Sequence, residues 1–159
     1  MNTFVIPKNF RSEGLVRSDR RDFLRLPWPP TVNHYWSHRG RIVYLGRRGR
    51  EYIKSVAMAI VGDAKGRVDP LLTIRGFVSV RMVLLPPDLR RRDPDNFSKG
   101  VFDSLSKCGY WEDDCLIRRQ SVTMGPKVKD GMAILVVEKL PSQAPWNYSE
   151  CIDWLMSSD

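Results

Sequence analysis

The chain has little cysteine, little histidine and no long apolar run, and each scarcity closes off a class of protein. Cys108, Cys115 and Cys151 are its three cysteines in 159 residues, an odd number with no C-x-x-C pair. That argues against a disulfide framework and against a zinc site, and suits a reducing cytoplasm. The two histidines, His34 and His38, stand four apart, a ligand spacing only on a helix. Their surroundings read as extended, so a metal role for them is not expected. No apolar run approaches the ~20 residues of a membrane span. The N-terminus lacks the apolar core of a secretory signal, and no internal repeat is visible. With 42% hydrophobic and 28% charged residues, the composition is that of one soluble domain able to bury a core.

Acid is scarce too, except in one place. The chain carries a net charge of +8 and a pI near 9.7, a balance that suits a polyanionic partner. Yet Asp93 to Asp114 holds six acidic residues against two lysines, a local charge of −4 that leaves the remainder at +12. Carboxylates facing a phosphate backbone repel it unless a cation sits between them. Hard divalent ions such as Mg²⁺ prefer such oxygen ligands, so the island points to metal-dependent phosphodiester chemistry.

The pattern predicts mixed α and β structure. Residues 1–22 read as a loosely held arm whose Lys8, Arg11, Arg17, Arg20 and Arg21 either touch nucleic acid or are simply solvated. A short strand at 23–26 is stopped by Pro27-Trp28-Pro29-Pro30. Residues 31–44 read as an extended pair with Arg39-Gly40-Arg41 at a hairpin tip. Its aromatic and basic residues suit base stacking and phosphate pairing, or a half-buried strand pair with a charged tip. Tyr52, Val56, Ala59 and Ile60 follow helical spacing within a helix at 47–64 whose first turns are basic. Alternation of Val78, Val80, Met82 and Leu84 marks a strand at 74–85. The loop 86–92 then delivers Arg90, Arg91 and Arg92. A second helix at 94–107 carries Phe97, Val101, Phe102 and Leu105 on one face, with Gly109 as its breaker. Strands follow at 116–124 and 132–140, the latter apolar enough to be central, with Asp130-Gly131 between them suggesting a hairpin. The tail, 141–159, has no Lys or Arg and carries Trp146, Tyr148, Ile152, Trp154 and Leu155, a composition that suits docking on the body or on a partner chain.

Two readings of the acids stand side by side. Asp93 and Asp95 fit a helix start, with Pro94 at the first helical position, and Glu112-Asp113-Asp114 fits a solvated turn. Against that, Asp95 and Lys99 share a helix face away from the core stripe, and the strand after the 109–114 turn can return beside that helix. A capping role also gains nothing from three arginines upstream, whereas a phosphodiesterase needs carboxylates for the ion and cations for the phosphates.

At these residues the chain resembles the RusA family of Holliday-junction resolvases. The stretch R-R-R-D-P-D-N-F-S-K-G-V-F-D-S-L-S-K-C-G-Y-W-E-D-D (90–114) holds the family's Arg-rich loop, D-x-D-N, a lysine four positions on, F-D-x-L, an aromatic pair after glycine and the D-D pair. L-P-W-P-P-T-V-N-H-Y-W (26–36) is similar to its first strand and turn. The resemblance implies an α+β fold with a small mixed β-sheet and two main helices packed on it, forming a homodimer. It implies a domain at 23–140 between the arm and the C-terminal extension. It also implies an Mg²⁺-dependent endonuclease, with Mn²⁺ as a substitute, that nicks a four-way junction symmetrically in DNA recombination and repair. By motif position Asp93, Asp95 and Asp114 would be metal ligands and Lys99 the catalytic lysine, with Asp113 assisting. Arg90, Arg91, Arg92, Arg39 and Arg41 would bind DNA. Glu112 and Asp103 read as bystanders. Such a protein would work in the cytoplasm of a bacterium or a phage-infected host. Pro94 departs from the family's aliphatic residue between the aspartates, and the arm and tail extend beyond the family core. Two alternatives remain: a structure-selective DNA-binding module without catalysis, and a nuclease acting on forks, flaps or RNA.

Overall fold

The computed structural model describes residues 14–141 together with Ser149, Ile152, Asp153 and Met156. Chain order is β1 (Gly14–Val16), β2 (Arg21–Pro27), α1 (Val32–Tyr35), β3 (Trp36–Arg39), β4 (Ile42–Leu45), α2 (Arg47–Val61), β5 (Val78–Leu85), α3 (Asp95–Lys107), β6 (Ile117–Met124) and β7 (Met132–Lys139). Five strands form one sheet in the order β1-β2-β7-β5-β6, and β3 and β4 form a separate hairpin. The mixed character of the sheet is real: β5 and β6 are parallel, and every other pairing in it is antiparallel.

Alternation along the strands decides which face is buried. Leu24 and Leu26 of β2, Val78, Val80, Met82 and Leu84 of β5, and Ala133, Leu135 and Val137 of β7 are all buried. They share one core with Tyr52 and Val56 of α2 and Phe97, Val101 and Leu105 of α3. The apolar β7 is central as its composition predicts, with β2 on one side and β5 on the other. Gly49 lets α2 approach α1, because a Cβ there would lie 2.5 Å from the Tyr35 carbonyl oxygen. At the end of α3, Gly109 adopts φ +74°. Its N–H donates to Ser106 O and that of Tyr110 to Leu105 O, the paired bonds of a Schellman cap.

Several expectations are corrected. Strands β6 and β7 are not a hairpin: β5 lies between them, so the loop through Asp130-Gly131 crosses over a neighbour. Both of those residues have φ +64°, a geometry that serves a crossover loop as well as a hairpin tip. Residues 32–35 form one helical turn rather than extended chain, and His34 turns back to bond Thr31 Oγ1 through Nδ1 at 2.9 Å. His38 lies in β3, so the two histidines share no helical face. Strand β5 starts at Val78, and Ile74 instead bridges to Trp111. Residues 14–22 are not loose. Strand β1 pairs with β2, and Arg17 donates to the Leu72 carbonyl at 2.6 Å while facing the buried Asp22. A three-residue strand has no room for a periodic signal, which is why sequence reads it as a tail. Residues 1–13 and nearly all of the proposed docking tail lie outside the described residues.

The packed interior carries a pH signature. Burial pushes the Tyr35 phenol up to about 12 from an ordinary 10.0, and the Cys108 thiol up to about 11 from 9.0. Both are acids that the fold holds neutral, so the unfolded chain releases their protons first. Stability is therefore full below about pH 9 and falls as pH climbs toward 12. Thermal midpoints should hold from pH 8 to about 9 and decline from there to pH 11, and a flat profile would contradict the burial of Tyr35 and Cys108.

Candidate active site and adjoining cleft

The site starts at the loop that leads into α3. Asp88 gathers it. One carboxylate oxygen accepts from Arg90 Nη2 at 2.8 Å and the other from Arg92 Nη2 at 2.7 Å, and Arg92 Nη1 also donates to the Asp88 carbonyl. These guanidiniums, Arg90 first, hold the Asp88 carboxyl well below the usual carboxylate range. The three arginines therefore differ. Arg92 is largely covered, at 13% side-chain exposure, and lies 5.5 Å over the Trp28 ring. Arg90 is paired but 83% exposed. Arg91 is exposed.

Asp93 and Asp95 sit at the exposed start of α3. Asp93 Oδ1 accepts from the Asp95 N–H at 3.2 Å, so the capping reading has an observation behind it. One oxygen caps the helix, and that leaves a second carboxylate oxygen on a solvent-facing residue.

One turn further on stands Lys99. Its ammonium donates to Asp103 Oδ1 at 3.0 Å and lies 3.6 Å from Asp114 Oδ2. The second contact joins the helix to the turn fifteen residues later, the return that sequence leaves open. It happens because β6 runs parallel to β5, which brings the 3-10 turn Asp114–Leu116 alongside α3. Among the described residues the ion pairs of Lys99 run to Asp103 and Asp114 rather than to Asp95. Two carboxylates at that end, one of them half-buried, outweigh one exposed carboxylate at the other. Asp103 is thus no bystander. Burial raises its pKa, Lys99 opposes the rise and Asp114 adds to it. The hydrogen bond from Lys99 to Asp103 raises the lysine's own pKa in turn, so it is an ammonium throughout the neutral range.

Asp113 caps the 3-10 turn, its Oδ1 accepting from the Cys115 N–H at 2.8 Å. That backbone bond lowers its pKa, with Asp114 and Lys99 adding to the shift, and it shapes the turn that presents Asp114. Arg39 and Arg41 flank Gly40 at the tip of the β3–β4 hairpin and are exposed. The hairpin stands apart from the five-stranded sheet.

Among the described residues no group of three or more His, Cys, Asp or Glu side chains closes around one point as a ready-made metal cage. The chemistry of the donors nonetheless fits a hard cation. Asp93 and Asp95 offer carboxylate oxygens at the exposed start of α3, while Asp103 and Asp114 present theirs to the Lys99 ammonium. Asp103 Oδ2 is buried without a hydrogen-bond partner, an acceptor left open beside the Lys99 ion pair.

Beside the N-terminal end of α3 opens a cleft of about 540 Å³, lined by Trp28, Pro30, Glu51, Tyr52, Arg91 and Phe97 among others. Trp28 packs on Phe97 with ring centroids 4.9 Å apart, which fixes the wall to α3. Sequence reads Pro27-Trp28-Pro29-Pro30 only as a bend. Its joining of the arginine loop to α2 depends on tertiary placement, which no local pattern encodes.

Residues 27–138 match the family described as Endodeoxyribonuclease RusA. A protein of Enterobacteria phage 82 named crossover junction endodeoxyribonuclease rusA is 33% identical over 120 residues, 76% of this chain and 96% of that relative. The Escherichia coli K12 protein of the same name is 32% identical over 120 residues, with the same coverage. That of phage HK97 is 35% identical over 117 residues, 74% of this chain and 93% of the relative.

Proposed function

The chain belongs to the RusA family, and from that premise we propose that it resolves four-way DNA junctions as a metal-dependent endonuclease. The observation that best supports this reading is the contact between Lys99 and Asp114. It unites the D-x-D-N-x-x-K helix start with the distant D-D pair, two motifs that have no structural need of each other. Asp93, Asp95 and Asp114 would hold Mg²⁺, or Mn²⁺ in its place. When bound, such an ion makes its water a better nucleophile and polarises the phosphoryl oxygen. Lys99 supplies positive charge to the phosphate or leaving oxygen as charge develops there. Arg90 and Arg91 seat the flanking phosphates at the edge of the cleft, with Arg92 locked behind them on Trp28. Asp113 assists by shaping the turn under Asp114. Arg39 and Arg41 reach a more distant part of the duplex.

A four-way junction requires two nicks related by two-fold symmetry. A homodimer with one site per subunit meets that demand directly. The workplace is the cytoplasm of a bacterium or phage-infected cell, and no helix of the described residues is long and apolar enough to cross a membrane.

The test sets a four-way junction beside a fork, a flap and linear duplex, each with Mg²⁺ or with EDTA. Paired nicks in the junction, absent in EDTA and slower on the other substrates, are the expected result. Faster cleavage of forks or flaps would reassign the substrate. Binding without cleavage in Mg²⁺ or Mn²⁺ would leave a non-catalytic DNA-binding module.

A further inference from the structure

We propose that Asp103 is a positioning residue of the reaction, the anchor that sets where the Lys99 ammonium stands. The inference rests on the role given to Lys99 above and goes beyond the ligands and lysine assigned there. Its basis is geometric. Asp103 lies one helical turn beyond Lys99 and grips Nζ at 3.0 Å, the shorter of the lysine's two ion pairs. The Asp103 side chain is 15% exposed and that of Lys99 58%, so the anchor is the fixed member and the lysine the mobile one. A lysine has four rotatable bonds and a strongly hydrated head; on an open surface it would sample many positions. A carboxylate set into the helix flank narrows that choice.

The second contact behaves differently. At 3.6 Å, Asp114 is a looser partner, and its carboxylate would serve a cation when one binds. The hold of Asp114 on the ammonium then weakens, and Asp103 becomes the group that keeps Lys99 beside the reacting phosphate. The other oxygen of Asp103 has no hydrogen-bond partner, so its charge remains available to the ammonium rather than being dispersed into the backbone. The sequence places an acid at the right interval for this, since Lys99 and Asp103 are four residues apart. The order is the weaker one for an isolated helix, which favours acid before base. A purely stabilising pair would be expected the other way round.

Asp103→Asn, Asp103→Glu and Lys99→Ala, each as the full chain, separate the possibilities. Asp103→Asn keeps shape and an acceptor oxygen but removes the charge, and should slow single-turnover junction cleavage about 10- to 100-fold, the range expected when a catalytic group is displaced by about an ångström. Junction affinity and thermal midpoint should match the parent. Asp103→Glu restores the charge on the same helix face and should recover most of the rate, which a packing role would not predict. Three results would overturn the inference: an Asp103→Asn rate within twofold of the parent, a Glu variant as slow as the Asn variant, or a loss that resides in affinity. Lys99→Ala guards the premise. Parental cleavage by that variant would remove the lysine from the mechanism, whereas its inactivity beside a fully active Asp103→Asn would overturn the anchor alone.

Discussion

Asp114→Asn is expected to lower junction cleavage on the order of 10³-fold while leaving junction binding in EDTA intact. The substitution preserves volume and an acceptor oxygen, but an amide is a far poorer ligand for a hard divalent ion than a carboxylate. Folding should be untouched, because the 3-10 turn is capped by Asp113 and Lys99 keeps its shorter bond to Asp103. Binding should not suffer either, since removing a negative charge from a surface that meets phosphates reduces repulsion. Asp95→Asn should behave alike. Asp93→Asn is the sharper case, because Asn caps a helix as well as Asp does. The cap bond to the Asp95 N–H survives, so any loss of cleavage reports the charge and not the helix. Full cleavage in Mg²⁺ by any of the three would strike that residue from the ligand set. A rate that recovers at high Mg²⁺ or with Mn²⁺ would identify it as a ligand whose loss weakens metal affinity.

Sequence carries much of this site because its parts are local. The Asp-Pro-Asp helix start, the four-residue interval to Lys99 and the glycine that ends α3 depend on neighbours within a few positions. The alternation in β5 likewise predicts its buried face residue by residue. What escapes is whatever depends on the sheet. The parallel pairing of β6 with β5 brings Asp114 to Lys99, and nothing in the strand sequences names their partners. The expected β6–β7 hairpin fails for the same reason: adjacency in the chain and a turn-forming Asp-Gly are not adjacency in the sheet. Charge is the other blind spot. Asp88, Asp103 and Asp22 look alike in the sequence as ordinary acids in a basic chain. Burial and partners alone separate the organiser of the arginine loop, the neighbour of Lys99 and the carboxylate under the sheet's edge. The tight pairing of Asp88 with Arg90 and Arg92 also alters the count of cations facing DNA, since a guanidinium held on Asp88 offers less net charge than a free one.

Asp22→Ala should cost about 3–5 kcal/mol, the loss expected when one partner is removed from a buried ionic cluster. Asp22 is fully buried on the core-facing side of β2, in line with Leu24 and Leu26. Such a position tolerates a carboxylate only if cations and donors meet it. Tyr110 donates to Oδ2 at 2.9 Å, Lys139 Nζ lies 3.7 Å from Oδ1, and Arg17 approaches to 4.0 Å while covering the Tyr110 ring at 5.3 Å. Burial, with Asp22 beside it, pushes the Tyr110 phenol well above its ordinary range, so the hydroxyl keeps its proton and its role as donor. Alanine would orphan that buried hydroxyl and release Arg17, and with it the contact that ties the segment after β1 to the Leu72 carbonyl. At ~2–4 °C per kcal/mol for a chain of this size, the thermal midpoint should fall by roughly 6–20 °C. Asp22→Asn, which keeps an acceptor for Tyr110, should fall between the two. The amides of residues 14–16 should exchange faster in the alanine variant than in the parent, because their strand loses its anchor before the core opens. Cleavage per folded molecule should stay unchanged below the new midpoint. A loss of less than 1 kcal/mol would mean that Arg17 and Lys139, both partly solvated, rehydrate without penalty, and that the cluster selects the position of β1 rather than holding the fold together.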